Sequence, residues 1–115
     1  MKFWLTVKWI QDKHYEVDLL EFTQSWKDGF IKCNTIQLVF KYQYDQTEYK
    51  YIWDSNPQNG LSSLYQESKG GWKLVYTPWQ GMEMVSTYHE LHEIGRQLSI
   101  LFRQKTTPKE ETNKH

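Results

Sequence analysis

Four ligand-type side chains fall within five residues of this chain, in the run His89-Glu90-Leu91-His92-Glu93. On a helix, His89 and His92 share an edge at i, i+3, and His89 with Glu93 at i, i+4 could supply two ligands to a metal. The run lacks the i, i+4 histidine pair of a zinc-peptidase helix, and only His14 and His115 remain as further histidines. His89, His92 and Glu93 are therefore metal candidates on spacing alone. The competing reading is a solvated helix face whose acidic residues sit favourably near a helix N-terminus. No metal or other cofactor is expected.

Other chemistry has less to work with. The serines and Cys33 form no nucleophile-elbow pattern. Lys69-Gly70-Gly71 lacks phosphate-loop spacing and runs into a strand-like segment. Cys33 is the single cysteine, so no disulfide can form within the chain. A small hydrolase or metal protein centred on His89 and His92 thus stands third among the functional readings.

Rings and cations alternate in several places: Trp4 near Lys8, Lys41-Tyr42, Tyr49-Lys50-Tyr51 and Trp72-Lys73. A sheet that presents stacking rings beside lysines can hold a single nucleic-acid strand. Trp4, Tyr49, Tyr51 and Trp72 with Lys8, Lys50 and Lys73 are the residues for that reading. Strict alternation also describes an ordinary half-buried sheet, with rings inward and lysines outward.

The elements that must position these side chains follow from periodicity. Met84, Tyr88, Leu91, Gly95, Leu98 and Phe102 mark one face of an amphipathic helix, widened by Val85, Ile94 and Leu101. His89, Glu90, Glu93, Arg96, Gln97 and Arg103 fall mostly outside that stripe, and Thr87-x-x-Glu90 has the form of a capping box. Upstream, Phe3–Ile10 and His14–Leu19 alternate as a first hairpin. Leu19, Phe22 and Trp26, spaced three and four apart, predict a short helix ending at Asp28-Gly29. Thr35–Tyr44 and Glu48–Asp54 form a clear second hairpin around Asp45-Gln46-Thr47. Residues 61–68 suit helix or strand; Gly70-Gly71 before Trp72–Thr77 favours a third hairpin. The expected fold is α+β: an antiparallel, meander-like sheet of five or six strands, a short helix after the first hairpin, and a long C-terminal helix on one face. Residues 1–104 are expected to form one domain and 105–115 a polar flexible tail. Gly95, in the middle of the apolar stripe, implies close approach of a ring, a sheet tryptophan being the obvious candidate.

Lysine plus arginine and aspartate plus glutamate number 14 each, which argues against a dedicated duplex-DNA or anionic-membrane binder. Aromatics make up 17% of the chain, more than one covered sheet face needs. With one face filled, Trp4, Ile10, Val39, Ile52, Val75 and Trp79 are left for the other face or loops, and such an apolar scatter marks interfaces. The expectation is a cytoplasmic, non-enzymatic binding protein of accessory, inhibitor or immunity type, acting through a protein–protein interface and capable of forming a homodimer. Trp4, Lys8, Ile10, Lys50, Ile52 and Trp79 are its candidate contacts. No membrane span is expected, because no run approaches about 20 apolar residues.

Overall fold

The computed structural model describes residues 1–7, 13–27, 33–42, 46–54, 62–78 and 86–103. Among the described residues, six strands precede one helix: β1 (Lys2–Val7), β2 (Lys13–Lys27), β3 (Cys33–Tyr42), β4 (Glu48–Asp54), β5 (Ser62–Ser68), β6 (Gly71–Tyr76) and α1 (Ser86–Phe102). The strands form one antiparallel meander in sequence order. Residues 62–68 are strand. Gly70 and Gly71 take the positive φ values, 89° and 145°, that the tight turn into β6 demands.

The predicted helix over Leu19–Trp26 is not there; those residues continue β2 to a length of 15. The cause is a bulge. Leu19 pairs with Phe40 and Glu21 with Val39, so Leu20 has no partner and the alternation slips by one residue. Leu19 and Phe22 therefore both pack on the core although they are three apart. Normal alternation then carries Gln24 and Trp26 onto that face, and the apolar spacing of three then four imitates a helix.

The core face is built from Leu5, Tyr15, Val17, Ile36, Leu38, Phe40, Tyr49, Tyr51 and Leu64, closed by Leu91, Ile94 and Leu98 of the helix. Phe102 caps one end, its ring edge-on to Phe3 at 5.3 Å and tilted against Phe22 at 5.8 Å. The helix touches β1, β3, β4, β5 and β6. A flat sheet would be about 24 Å across, at roughly 4.8 Å per strand spacing, far wider than a helix. The sheet must therefore curl around α1.

That curl covers more of the helix than a stripe. Glu90 and Glu93, expected on the open side, are buried, while Ile100 and Leu101 are exposed. Thr87 lies inside the helix rather than at its cap. Val75 joins the core by ordinary alternation along β6, two residues after Lys73, and a second bulge, between Leu64 and Tyr65, brings Tyr76 onto that face as well. Gly95 does face a ring, but that of Tyr51: a Cβ at Gly95 would lie 2.6 Å from the tyrosine Cγ and Cδ1.

Candidate functional site

Two places bring polar or aromatic groups together. The first is a seam between α1 and the concave face of the sheet. Burying Glu90 requires a donor, and the Tyr15 hydroxyl supplies one, donating to Glu90 Oε2. Burial, and then this bond to a carboxylate, push the Tyr15 hydroxyl far above the ordinary tyrosine range. Two residues later, Nε2 of the buried His92 lies 2.8 Å from Ser62 Oγ. Its imidazole is edge-on to Tyr51 at 5.3 Å and tilted on Tyr76 at 4.8 Å. Burial lowers the His92 pKa to about 4, so the ring is neutral at pH 7. The Tyr51 hydroxyl is hydrogen-bonded to Ser62 and Ser99, and burial raises its pKa.

Glu93 completes the seam. Arg96 grips it with Nε and Nη2, each donating at 2.6 Å, and Gln97 Nε2 donates at 3.1 Å. Burial pushes the Glu93 carboxyl up, but these bonds and the Arg96 charge bring it below the ordinary value. Gln97 also donates to the Thr6 carbonyl at 3.0 Å, fastening the helix to β1. Among the described residues, every buried side-chain nitrogen and oxygen has a partner. The seam thus directs polar groups at one another across a helix–sheet contact, which fixes the helix in rotation and register.

The histidine reading resolves accordingly. His89 stacks on Tyr76 at 5.3 Å while His92 faces Ser62, and Glu93 is held by Arg96. Among the described residues no group of three or more ligand side chains is placed to hold a metal. Ser62 and His92 do stand as a hydroxyl beside a neutral imidazole, the first half of a nucleophile–base pair. Both are buried between the helix and the sheet, where Ser62 also meets the Tyr51 hydroxyl and its carbonyl accepts from Thr77 at 3.1 Å.

The second place is the convex face of the sheet. Strand alternation and cross-strand register put Val39, Lys50, Tyr65 and Leu74 in one row across β3 to β6, with Trp72 beside it. Lys50 Nζ sits 4.8 Å from the Trp72 ring centre and 5.4 Å from that of Tyr65. Trp72 and Leu74 are 39% and 36% exposed, on β6, an edge of the sheet. Ile52 is half-buried on the same face and Val39 is buried there by its neighbours.

The charges of this face are unequal. Among its described groups, carboxylates stand at Glu16, Asp18, Glu21, Glu48, Asp54 and Glu67, against ammonium groups at the Met1 amino terminus, Lys2, Lys41 and Lys50. A depression of about 280 Å³ on the β1–β3 side is lined by Lys2, Glu16, Asp18, Lys41 and Gln46. Its opposite charges already face each other: Lys2 reaches Glu16 at 4.0 Å, and the Met1 amino group meets Asp18 at 2.8 Å. That hydrogen bond from the amino terminus holds the Asp18 carboxyl below its ordinary pKa.

The candidate contacts separate clearly. Trp4 is 73% exposed on β1, at the opposite end of the strand order from Trp72. Lys50 and Ile52 lie in the convex cluster, whereas Lys8, Ile10 and Trp79 fall outside the described residues. Tyr49 and Tyr51 are buried in the core, and Lys73 is on the opposite side of β6 from Trp72. Tyr65 and Leu74 were missed by sequence reasoning; their signal is register, since Lys50 pairs with Tyr65 and Tyr65 with Leu74. Among the described residues, no helix is long and apolar enough to cross a membrane. No protein-family model, curated protein or solved structure significantly matches this chain.

Proposed function

We propose that this chain is a binding protein that acts through a protein–protein contact on the convex sheet face, at the β5–β6 edge. The observation that carries the reading is the cluster of Trp72 and Leu74, exposed on the edge strand, with the half-buried Tyr65 and Lys50 beside them on paired strands. Aromatic residues with a flanking cation are the composition of interface hot spots. The concave face is filled by the helix and its described buried polar groups are satisfied, whereas the convex face leaves Trp72 and Leu74 exposed.

The companion reading, a stacking platform for single-stranded nucleic acid, keeps Trp72 with Lys50 but loses Tyr49 and Tyr51 to the core. The carboxylate excess on the same face would also repel phosphates. Protein binding is therefore the reading supported best.

The test is the solution mass by light scattering over a concentration series, with co-purifying material identified, for the parent chain and Leu74→Lys. A partner or dimer that the substitution removes is the expected result. A chain that binds no protein, or one that carries nucleic acid until nuclease is added, would reject the proposal.

A further inference from the structure

Resting on the interface just proposed, we infer that the convex cluster docks a cationic protein segment, with an arginine or lysine seated on the Trp72 and Tyr65 rings. Two independent observations point to a cation. The rings already hold one, the Lys50 ammonium at 4.8 and 5.4 Å, so their faces are turned to accept positive charge. On β4 and β5 the same face carries Glu48, Asp54 and Glu67 against Lys50, with Lys69 in the turn to β6, and Glu67 pairs directly with Trp72 across β5 and β6.

Lys50 is then an internal occupant of the cation site. An incoming guanidinium stacks on Trp72 from the solvent side, pairs with Glu67, and competes with Lys50 for the ring faces. Arginine suits the position better than lysine, because its planar, weakly hydrated group stacks on rings and pairs with a carboxylate at once. An acidic segment would meet the opposite field and gain nothing from the ring quadrupoles.

This occupant makes an unusual demand on mutagenesis: removing a surface lysine should strengthen binding. The experiment is a fluorescence-anisotropy titration of the full chain with two labelled peptides of equal length, one alternating Arg with Val and the other Glu with Val. The Arg-Val peptide should bind, more weakly as salt is raised. Lys50→Ala should tighten it about two- to fivefold, the worth of one exposed cation–π contact. Trp72→Leu, which keeps apolar area but removes the ring, should weaken it by a similar factor, and Glu67→Lys should weaken it further.

An unchanged or weaker affinity in Lys50→Ala would overturn the inference. So would binding of the Arg-Val peptide that is indifferent to Trp72→Leu and Glu67→Lys. A Glu-Val peptide that binds and is lost in Trp72→Leu would overturn the cation assignment while leaving the interface in place. A concentration-dependent dimer abolished by Leu74→Lys would do the same, with a second copy as occupant. Neither peptide binding, together with a light-scattering mass unaffected by Leu74→Lys, would reject both.

Discussion

Replacing Gly95 by alanine sets two well-understood effects against each other. In a helix interior, alanine is favoured over glycine by about 1 kcal/mol, so at an open site the change would stabilise. At Gly95 the new methyl would meet Cγ and Cδ1 of Tyr51 at 2.6 Å and its Cβ at 2.7 Å. These atoms are the root of the side chain, not a flexible tip, and the Tyr51 hydroxyl is tied to Ser62 and Ser99. Relief therefore requires moving α1 or β4 rather than turning a rotamer. Overpacking of this kind costs about 1–3 kcal/mol, and the anchored ring puts it near the top of that range. After the helix-propensity gain is subtracted, Gly95→Ala should lose about 1–2 kcal/mol. For a chain of this size that is a fall in Tm of roughly 4–8 °C. The assay is thermal and urea unfolding followed by circular dichroism, with Thr87→Ala, at an exposed position of the same helix, as the control that carries no clash. Thr87→Ala should fall within about 0.5 kcal/mol of the parent. A Gly95→Ala variant that melts at or above the parent would refute the close-approach argument, and Gly95→Leu should be worse still.

Acid should loosen the fold through His92. Its folded pKa, about 4, lies below the ordinary 6.5, so the unfolded chain takes a proton that the folded chain refuses. Stability is then fully present above pH 6.5 and falls, by about 3 kcal/mol in all, as pH drops from 6.5 to 4. Glu93, whose pKa is lowered on folding, adds a loss in the same direction once pH falls below about 4.5. Urea titrations at pH 7.5 and 5 measure the slope, and His92→Gln should flatten it above pH 5; an unchanged slope would contradict the assignment. Tyr15→Phe removes a hydrogen bond to the buried Glu90 carboxylate and should cost about 1.5–3 kcal/mol by urea denaturation, where a cost below 0.5 would deny that bond a structural role. In β2, Leu20→Gln, at the partnerless bulge position, should change stability by less than about 0.5 kcal/mol, while Phe22→Ala should cost about 2 or more. Equal costs at the two positions would count against the bulge.

How legible the fold was depended on what local spacing encodes. Thr35–Tyr44 and Glu48–Asp54 could be read as a hairpin because unbroken alternation has one explanation, and β3 and β4 pair in simple register. The C-terminal helix was equally visible in its apolar stripe. Leu19, Phe22 and Trp26 misled because a bulge changes phase without leaving a residue-type signature; a leucine, not a glycine, takes the extra position. Glu90 and Glu93 misled differently. Their burial depends on how far the sheet curls and on Tyr15, seventy-five residues from Glu90, arriving with a hydroxyl. The close approach at Gly95 could be inferred because a glycine in a buried stripe needs a reason, but the identity of the ring depended on strand register. Lys50 was recognised as a candidate by its neighbours in sequence, Tyr49 and Tyr51, yet the rings it meets are Tyr65 and Trp72, supplied by other strands.

The order of elements along the chain has a consequence for biosynthesis. The meander is written entirely before the helix that fills it, so β6 ends at Tyr76 and α1 closes only with Phe102. At about 5–20 residues per second, roughly one to five seconds of translation separate those two points. During that interval a nascent sheet could pair its strands locally, since each lies beside its sequence neighbour, but its ring-lined hollow would still be open. During synthesis the helix arrives last and seals that surface. Released chains truncated after Tyr76 should therefore bind hydrophobic-surface chaperones, and chains that include α1 should not.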